Sequence, residues 1–138
     1  MSVTKVLVLG STGMIGHQVF NYLTVNSVFE IYNVSFRKKL HDDSFLLDAR
    51  NEDALVKYIV SISPNYIINC VGVLINGSNR DPENAIFLNS YLPHRLSSLA
   101  DVINAKLIHT STDCVFSGEK GTSYIETDEK DGNGVYAK

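Results

Sequence analysis

A glycine-rich turn lies near the start of the chain, between an apolar run and an amphipathic stretch. Gly10, Gly13 and Gly16 are each separated by two residues and follow directly on Lys5–Leu9. That run is continuous and rich in valine, which is typical of a strand buried on both faces of a sheet. The following residues, Met14–Leu23, predict a helix. A strand, a glycine turn and a helix in this order favour a phosphate-binding loop over a plain turn without a ligand.

Each glycine of the turn has its own physical reason. Gly10 permits the tight turn, Gly13 lets the backbone approach a pyrophosphate, and Gly16 lets the helix pack closely on the strand. The N-terminus of the helix offers free N–H groups and partial positive charge to the anion. We therefore expect the whole segment to contact a dinucleotide: Gly10, Ser11, Thr12, Gly13, Met14, Ile15 and Gly16.

The rest of the chain alternates strand-like and helix-like segments. Further strands are predicted at Glu30–Phe36, Phe45–Leu47, Tyr66–Val71 and Lys106–Thr110, and further helices at Asn51–Ile62 and Pro82–Asn104. Alternation of this kind predicts an α/β fold with a Rossmann-like, doubly wound parallel sheet. Pro93 lies inside the last helix and predicts a kink or break there. Because such sheets usually have a sixth strand, we expect residues 1–138 to form one truncated domain whose sheet is incomplete at its C-terminal end.

Composition excludes several classes of protein. The chain has 138 residues and a formal charge of −3, so it lacks the basic surface that nucleic-acid binding requires. Its apolar runs are too short to span a membrane. Its two cysteines and scattered histidines predict neither a disulfide framework nor a metal site. A cytoplasmic protein is the default expectation.

The end of the second predicted strand bears on which dinucleotide would bind. An NAD site usually has Asp or Glu there, where the carboxylate holds the ribose 2′-hydroxyl. This chain instead has Ser35 and Arg37, which suit the 2′-phosphate of NADP. NADP is therefore favoured over NAD. A solvated basic turn is the alternative interpretation of residues 37–39.

Two further motifs suggest a family. The glycine spacing resembles that of extended short-chain dehydrogenases/reductases, and Ser111–Gly118 resembles the S-T-D-x-V-F-x-G motif of the dTDP-4-dehydrorhamnose reductase family. The resemblance implies that Thr112 polarises the substrate oxygen and that Tyr136 supplies the proton. A lysine four residues after this tyrosine normally lowers its pKa. Lys138 lies only two residues after it, so we expect residues 1–138 to be inactive alone.

The same resemblance assigns roles at other strand ends. Asp48 and Ala49 correspond to the adenine contact, and Cys70, Val71 and Gly72 to the wall beside the nicotinamide ribose. Asn89 corresponds to a cofactor-site residue that pins strand backbone near the active site. Three residues correspond to positions that approach the sugar: Val73, Asp113 and Cys114. Cys114 replaces the usual aromatic residue, which leaves the identity of the hexose open, and Cys70 also fits a small core residue.

The implied activity is NADPH-dependent reduction of a 4-keto group on a nucleotide-linked 6-deoxysugar, which would supply polysaccharide synthesis. The expected partner is this small nucleotide sugar, and the oligomeric state stays open between a monomer and a homodimer. Two alternatives remain at this point. One is a regulatory subunit that binds NADP without turnover, and the other is a sugar-nucleotide epimerase or dehydratase.

Overall fold

One parallel sheet forms the centre of the molecule. The computed structural model describes residues 3–26 and 28–138. The strands are β1 (Thr4–Leu9), β2 (Phe29–Ser35), β3 (Phe45–Leu46), β4 (Tyr66–Asn69) and β5 (Lys106–His109). They pair in the order β3-β2-β1-β4-β5, with all pairings parallel. This is the order of the first five strands of a Rossmann fold, so the predicted fold class is confirmed.

Helices connect most of the strands. They are α1 (Met14–Val25), α2 (Glu52–Ile62), α3 (Ile75–Arg80), α4 (Pro82–Ile86) and α5 (Leu92–Val102). The link between β2 and β3 consists of turns and bends, as its short length predicts. α2 ends at Ser63, whose φ of 49° stops the helix in the left-handed conformation just before Pro64.

The core explains why the first strand is continuously apolar. Side chains alternate between the two faces of a strand, and Leu7 and Leu9 belong to the buried cluster that includes Leu55 of α2 and Leu96 of α5. Val8 points to the opposite face, the side of α1, and is also fully buried. The central strand is therefore covered on both faces, as its sequence predicts.

The long helix predicted from Pro82 is interrupted earlier than expected. A π-helical turn, Phe87–Tyr91, separates α4 from α5, and Pro93 lies in the first turn of α5. Proline has no N–H to donate and its ring clashes with the carbonyl four residues back, which here belongs to Asn89. The widened turn therefore coincides with the residues that proline disturbs. Sequence analysis did not predict α3, because its Asn, Gly and Ser residues are poor helix formers.

Candidate functional site

Close packing of the backbone requires glycine at two of the three glycine positions of the turn. Gly10 has a φ of 78°, and its N–H donates to the Val34 carbonyl at 2.9 Å. A Cβ on Gly10 would lie 3.0 Å from the backbone of Cys70. A Cβ on Gly16 would lie only 2.2 Å from the Gly10 carbonyl oxygen. The turn after β1 therefore touches both the chain that follows β4 and the first turn of α1 through backbone atoms, and a side chain at either glycine would push these segments apart.

The N-terminus of α1 has no internal cap. Gly13 is its N-cap residue, no side chain accepts a hydrogen bond from the first turn, and the first turn contains no acidic residue. The N–H of His17 donates to the Gly13 carbonyl at 3.0 Å, which starts the helical ladder. The preceding amides of Met14 and Ile15 have no helical acceptor, and these two exposed residues leave them available to an external anion.

An open cleft of about 940 Å³ lies beside this helix N-terminus. Loops at the carboxyl ends of β1, β4 and β5 reach its wall, because the ends of parallel strands meet at one edge of a sheet. The cleft brings together ten of the predicted site residues: Gly13, Met14, Ile15, Cys70, Val71, Gly72, Val73, Asn89, Thr112 and Tyr136. The glycine turn and the hydroxyl groups of Thr112 and Tyr136 therefore lie at the same edge of the sheet.

The hydroxyl oxygen of Thr112 already accepts one hydrogen bond. It is the N-cap of a short 3-10 turn, Asp113–Val115, and its Oγ1 accepts the N–H of Cys114 at 3.2 Å. Thr112 therefore caps local backbone, as a threonine at the end of a strand often does. The hydroxyl proton is still free to donate, because a hydroxyl group can accept and donate at the same time.

Hydrogen bonds at the base of the loop after the 3-10 turn bring the chain back to the cleft, where Tyr136 lies. The Asp131 carboxylate accepts the backbone N–H and the hydroxyl of Ser117, both at 2.7 Å, which lowers the pKa of this aspartate. Gly132 is buried and donates to the Val115 carbonyl at 2.9 Å. The loop of residues 117–132 is therefore anchored at both ends, four residues before Tyr136.

Asn89 holds the backbone that follows β4. Its Oδ1 accepts the N–H of Val73 at 2.7 Å, and its Nδ2 donates to the Val73 carbonyl at 2.8 Å. Two bonds from one amide fix both polar groups of a residue in the wall of the cleft. Asn89 thus fixes loop backbone four residues after the end of β4, and its expected role beside a cofactor remains a prediction.

The predicted ribose and adenine residues form a separate cluster at the ends of β2 and β3. Arg37 lies over the exposed ring of Phe36, with 5.6 Å from its guanidinium carbon to the ring centroid. Arg50 lies 5.5 Å from the same centroid and pairs with Asp48 at 2.6 Å, which lowers the pKa of that carboxyl. Ser35 is buried and donates to the Lys38 carbonyl at 2.7 Å, so its hydroxyl shapes the turn.

The remaining predicted residues lie outside the cleft lining. The Ser11 side chain is fully buried and donates to Asn33 Oδ1 at 2.9 Å, so it faces β2 rather than the cleft. Ala49 packs against the core. Asp113 and Cys114 lie in the 3-10 turn beside Thr112. Thr12 precedes the N-cap of α1, and Gly10 and Gly16 form the contact behind the turn.

Two residues with functional groups were missed. Arg50 lies beside Phe36 and Asp48, and only its spacing of two residues from Asp48 could have indicated it. His109 lines the cleft next to Thr110, and burial lowers its pKa below the ordinary histidine value. Its position at the end of a predicted strand was the available signal.

Two classes of feature are absent from the described residues. In residues 3–26 and 28–138, no group of three or more His, Cys, Asp or Glu side chains could hold a metal ion. None of the helices in the same part of the chain is both long and apolar enough to cross a bilayer.

Comparison with known families agrees with this geometry. The family model described as the RmlD substrate binding domain matches residues 4–138. This chain belongs to that family.

Several proteins similar to this chain are dTDP-4-dehydrorhamnose reductases. The dTDP-4-dehydrorhamnose reductase of Aggregatibacter actinomycetemcomitans is 29% identical over 90% of this chain and 40% of its own length. That of Escherichia coli K12 is 25% identical over 97% of this chain and 43% of its own length. The solved structure of the Bacillus anthracis enzyme in complex with NADP has a TM-score of 0.83 at 25% identity, covering 99% of this chain and 46% of that one. The chain spans about two-fifths of the length of these curated relatives.

Proposed function

We propose that residues 1–138 form the NADP-binding Rossmann domain of a nucleotide-sugar reductase that reduces a 4-keto 6-deoxysugar. One observation carries this proposal: the uncapped N-terminus of α1 and the side chains of Thr112 and Tyr136 line a single cleft. Family membership and the NADP-bound relative support it.

The turn fits a dinucleotide diphosphate on structural grounds. Gly10 and Gly16 leave no room for a Cβ, and the amides of Met14 and Ile15 lie at the edge of the cleft without a side-chain cap. Backbone N–H groups at a helix N-terminus are suited to bind phosphate oxygens. When bound, NADPH would supply the hydride for the reduction.

Thr112 and Tyr136 supply the remaining chemistry. The N–H of Cys114 occupies one acceptor site of the Thr112 hydroxyl, which leaves its proton to donate to the carbonyl oxygen of the sugar. Tyr136 would give a proton to the same oxygen as the carbonyl becomes an alcohol.

The preference for NADP rests on Arg37. Its guanidinium lies beside the exposed Phe36 ring at the end of β2, where a 2′-phosphate would add two negative charges. Arg50 adds a second guanidinium at the same ring, although its Nε and Nη2 already bind Asp48. We therefore assign the preference to Arg37 first.

Titration of the chain with NADPH and with NADH tests the proposal. Wild type should bind NADPH more tightly, and Arg37→Ala should weaken NADPH binding about tenfold, which is the expected worth of one charged hydrogen bond, while NADH binding stays unchanged. Arg80→Ala, at the end of α3 and outside the cleft lining, is the matched control. Absence of saturable binding of either dinucleotide would refute the proposal.

Substrate chemistry is tested separately. With a nucleotide-linked 4-keto sugar, any loss of NADPH absorbance should disappear in Thr112→Val and Tyr136→Phe. Both variants should keep the NADPH affinity of wild type, because neither side chain is needed to hold the diphosphate. Turnover that survives both substitutions would contradict the roles assigned to these residues.

A further inference from the structure

A buried amide fixes the orientation of an imidazole ring at the edge of the cleft. Asn69, the last residue of β4, is fully buried. Its Oδ1 accepts the N–H of Val71 at 3.1 Å, and its Nδ2 lies 3.1 Å from Nδ1 of His109. A backbone N–H can only donate, so the amide oxygen must face Val71. The NH₂ group of Asn69 must therefore face the histidine ring.

This contact determines where the ring of His109 carries its proton. The Asn69 amide nitrogen is a donor, so Nδ1 of His109 must be the acceptor and carries no proton. A neutral ring then has its proton on Nε2. Partial burial lowers the pKa of His109, which favours the neutral ring, although the residue as a whole stays exposed at the edge of the sheet. Since Nδ1 faces Asn69, the other edge of the ring is the one that can reach a molecule in the cleft.

The surroundings indicate which part of a ligand this donor would meet. Asn69 also holds Val71, which lines the cleft with Cys70 and Gly72. That segment is the wall expected beside the nicotinamide ribose. An uncharged N–H donor suits a hydroxyl or amide oxygen, whereas the phosphate groups are expected at the N-terminus of α1.

We propose that His109 is a neutral hydrogen-bond donor of the cleft, fixed in the Nε2–H form by Asn69, and that it binds an oxygen of the nicotinamide riboside half of the dinucleotide. The ligand half of this inference rests on the proposed NADP binding. The proton position is a property of the chain itself and holds without a ligand.

Nitrogen-15 NMR of the histidine rings tests the proton position directly. The ring signals of His109 are identified by their loss in His109→Gln. In wild type at neutral pH, we expect an unprotonated Nδ1 and a protonated Nε2. Asn69→Asp should move the proton to Nδ1 and raise the pKa of the ring, because a carboxylate accepts where the amide donated. A protonated Nδ1 in wild type would overturn the proposal, and this measurement needs no substitution that endangers folding.

Titration with NADPH tests the ligand half. His109→Phe should weaken NADPH binding about three- to tenfold, the range for one uncharged hydrogen bond. His109→Gln, which keeps a side-chain N–H donor, should restore most of the affinity, and a merely space-filling role would not show this rescue. His94→Phe, on α5 and outside the cleft lining, is the control and should bind like wild type.

The outcomes separate the two proposals. An unchanged affinity of His109→Phe, together with an unshifted His109 signal in saturated wild type, would overturn the ligand half alone. Failure of wild type to bind NADPH would overturn the proposed function and this ligand half with it. The ring signals would still decide the proton position in that case.

Discussion

The N-termini of α1 and α2 both follow a strand of the same sheet, yet they are built in opposite ways. α2 begins with Asn51, whose side chain accepts the N–H of Ala54 at 3.2 Å, and its first turn contains Glu52 and Asp53. α1 begins with Gly13, without a side-chain cap and without an acidic residue in its first turn. In α2 the N-cap side chain satisfies one first-turn amide, whereas α1 has no such side chain and its first residues line the cleft.

This difference separates a helix end that serves stability from one suited to a ligand. A side-chain cap contributes about 1 kcal/mol to stability, and α1 lacks that contribution. First-turn carboxylates favour the helix dipole but would repel a phosphate. Close packing of Gly16 on Gly10 gives α1 a fixed position despite its missing cap. The comparison predicts separate effects on stability and on binding.

The largest effect is expected at the third residue of each helix. Gly16→Ala places a Cβ 2.2 Å from the Gly10 carbonyl oxygen, and the resulting overpacking should lower the free energy of unfolding by about 3 kcal/mol. Ala54→Gly, at the same position of α2, should lower it by only about 1 kcal/mol, through helix propensity. Urea denaturation of both variants measures the difference. Equal losses would show that the close contact does not hold α1 in place.

The next-largest effect is expected when α1 receives a side-chain cap like that of α2. Gly13→Asp provides a capping carboxylate at the place expected for the diphosphate, so NADPH affinity should fall about tenfold to a hundredfold. The new Cβ would lie 3.2 Å from the Gly10 carbonyl oxygen, which requires only a small local shift. Gly13→Asn is the uncharged control and should lose less affinity. Calorimetric titration of both variants gives the ratio, and equal losses would mean that charge at this helix end is irrelevant.

A smaller effect is expected from removing the cap of α2. Asn51→Ala should lower the free energy of unfolding by about 1 kcal/mol, because the Ala54 amide loses its acceptor. NADPH affinity should stay at the wild-type value. A joint measurement of thermal unfolding and titration checks this, and weaker binding would indicate that α2 also contributes to the dinucleotide site.

The smallest effect concerns the acidic first turn of α2. Asp53→Asn removes a negative charge near the positive end of the helix and should cost about 0.5 kcal/mol at low salt. High salt should reduce this loss, since exposed charges are screened. Thermal unfolding at two salt concentrations measures it. A loss that salt does not alter would have a cause other than the helix dipole.

Local signals predicted most of the fold correctly. The valine-rich run of β1 and the helix predicted at Asn51–Ile62 each depend on a few neighbouring residues, so the sequence alone indicates them. The break before α5 was placed less well. The π-helical turn precedes Pro93 and contains Asn89, whose amide binds Val73 sixteen residues away.

The site shows the same division. Its residue types follow from motifs, and the cleft does bring Gly13, Thr112 and Tyr136 together. Which atoms are free does not follow from motifs. The hydroxyl groups of Ser11 and Ser35 are used inside the fold, at Asn33 and at Lys38, although both residues suit a ligand by type. A short polar side chain binds the nearest suitable partner, and the folded neighbourhood decides which partner that is.

The sequence by itself determined the alternation of strands and helices, the glycine turn and the residues at the strand ends, because these depend on backbone preferences and apolar periodicity along the chain. Only the tertiary structure decided that the amide of Asn69 turns towards His109, that Arg50 joins the Phe36 cluster, and that the loop before Tyr136 returns to the cleft. These contacts join residues far apart in the chain, and their geometry depends on how the sheet and its loops pack.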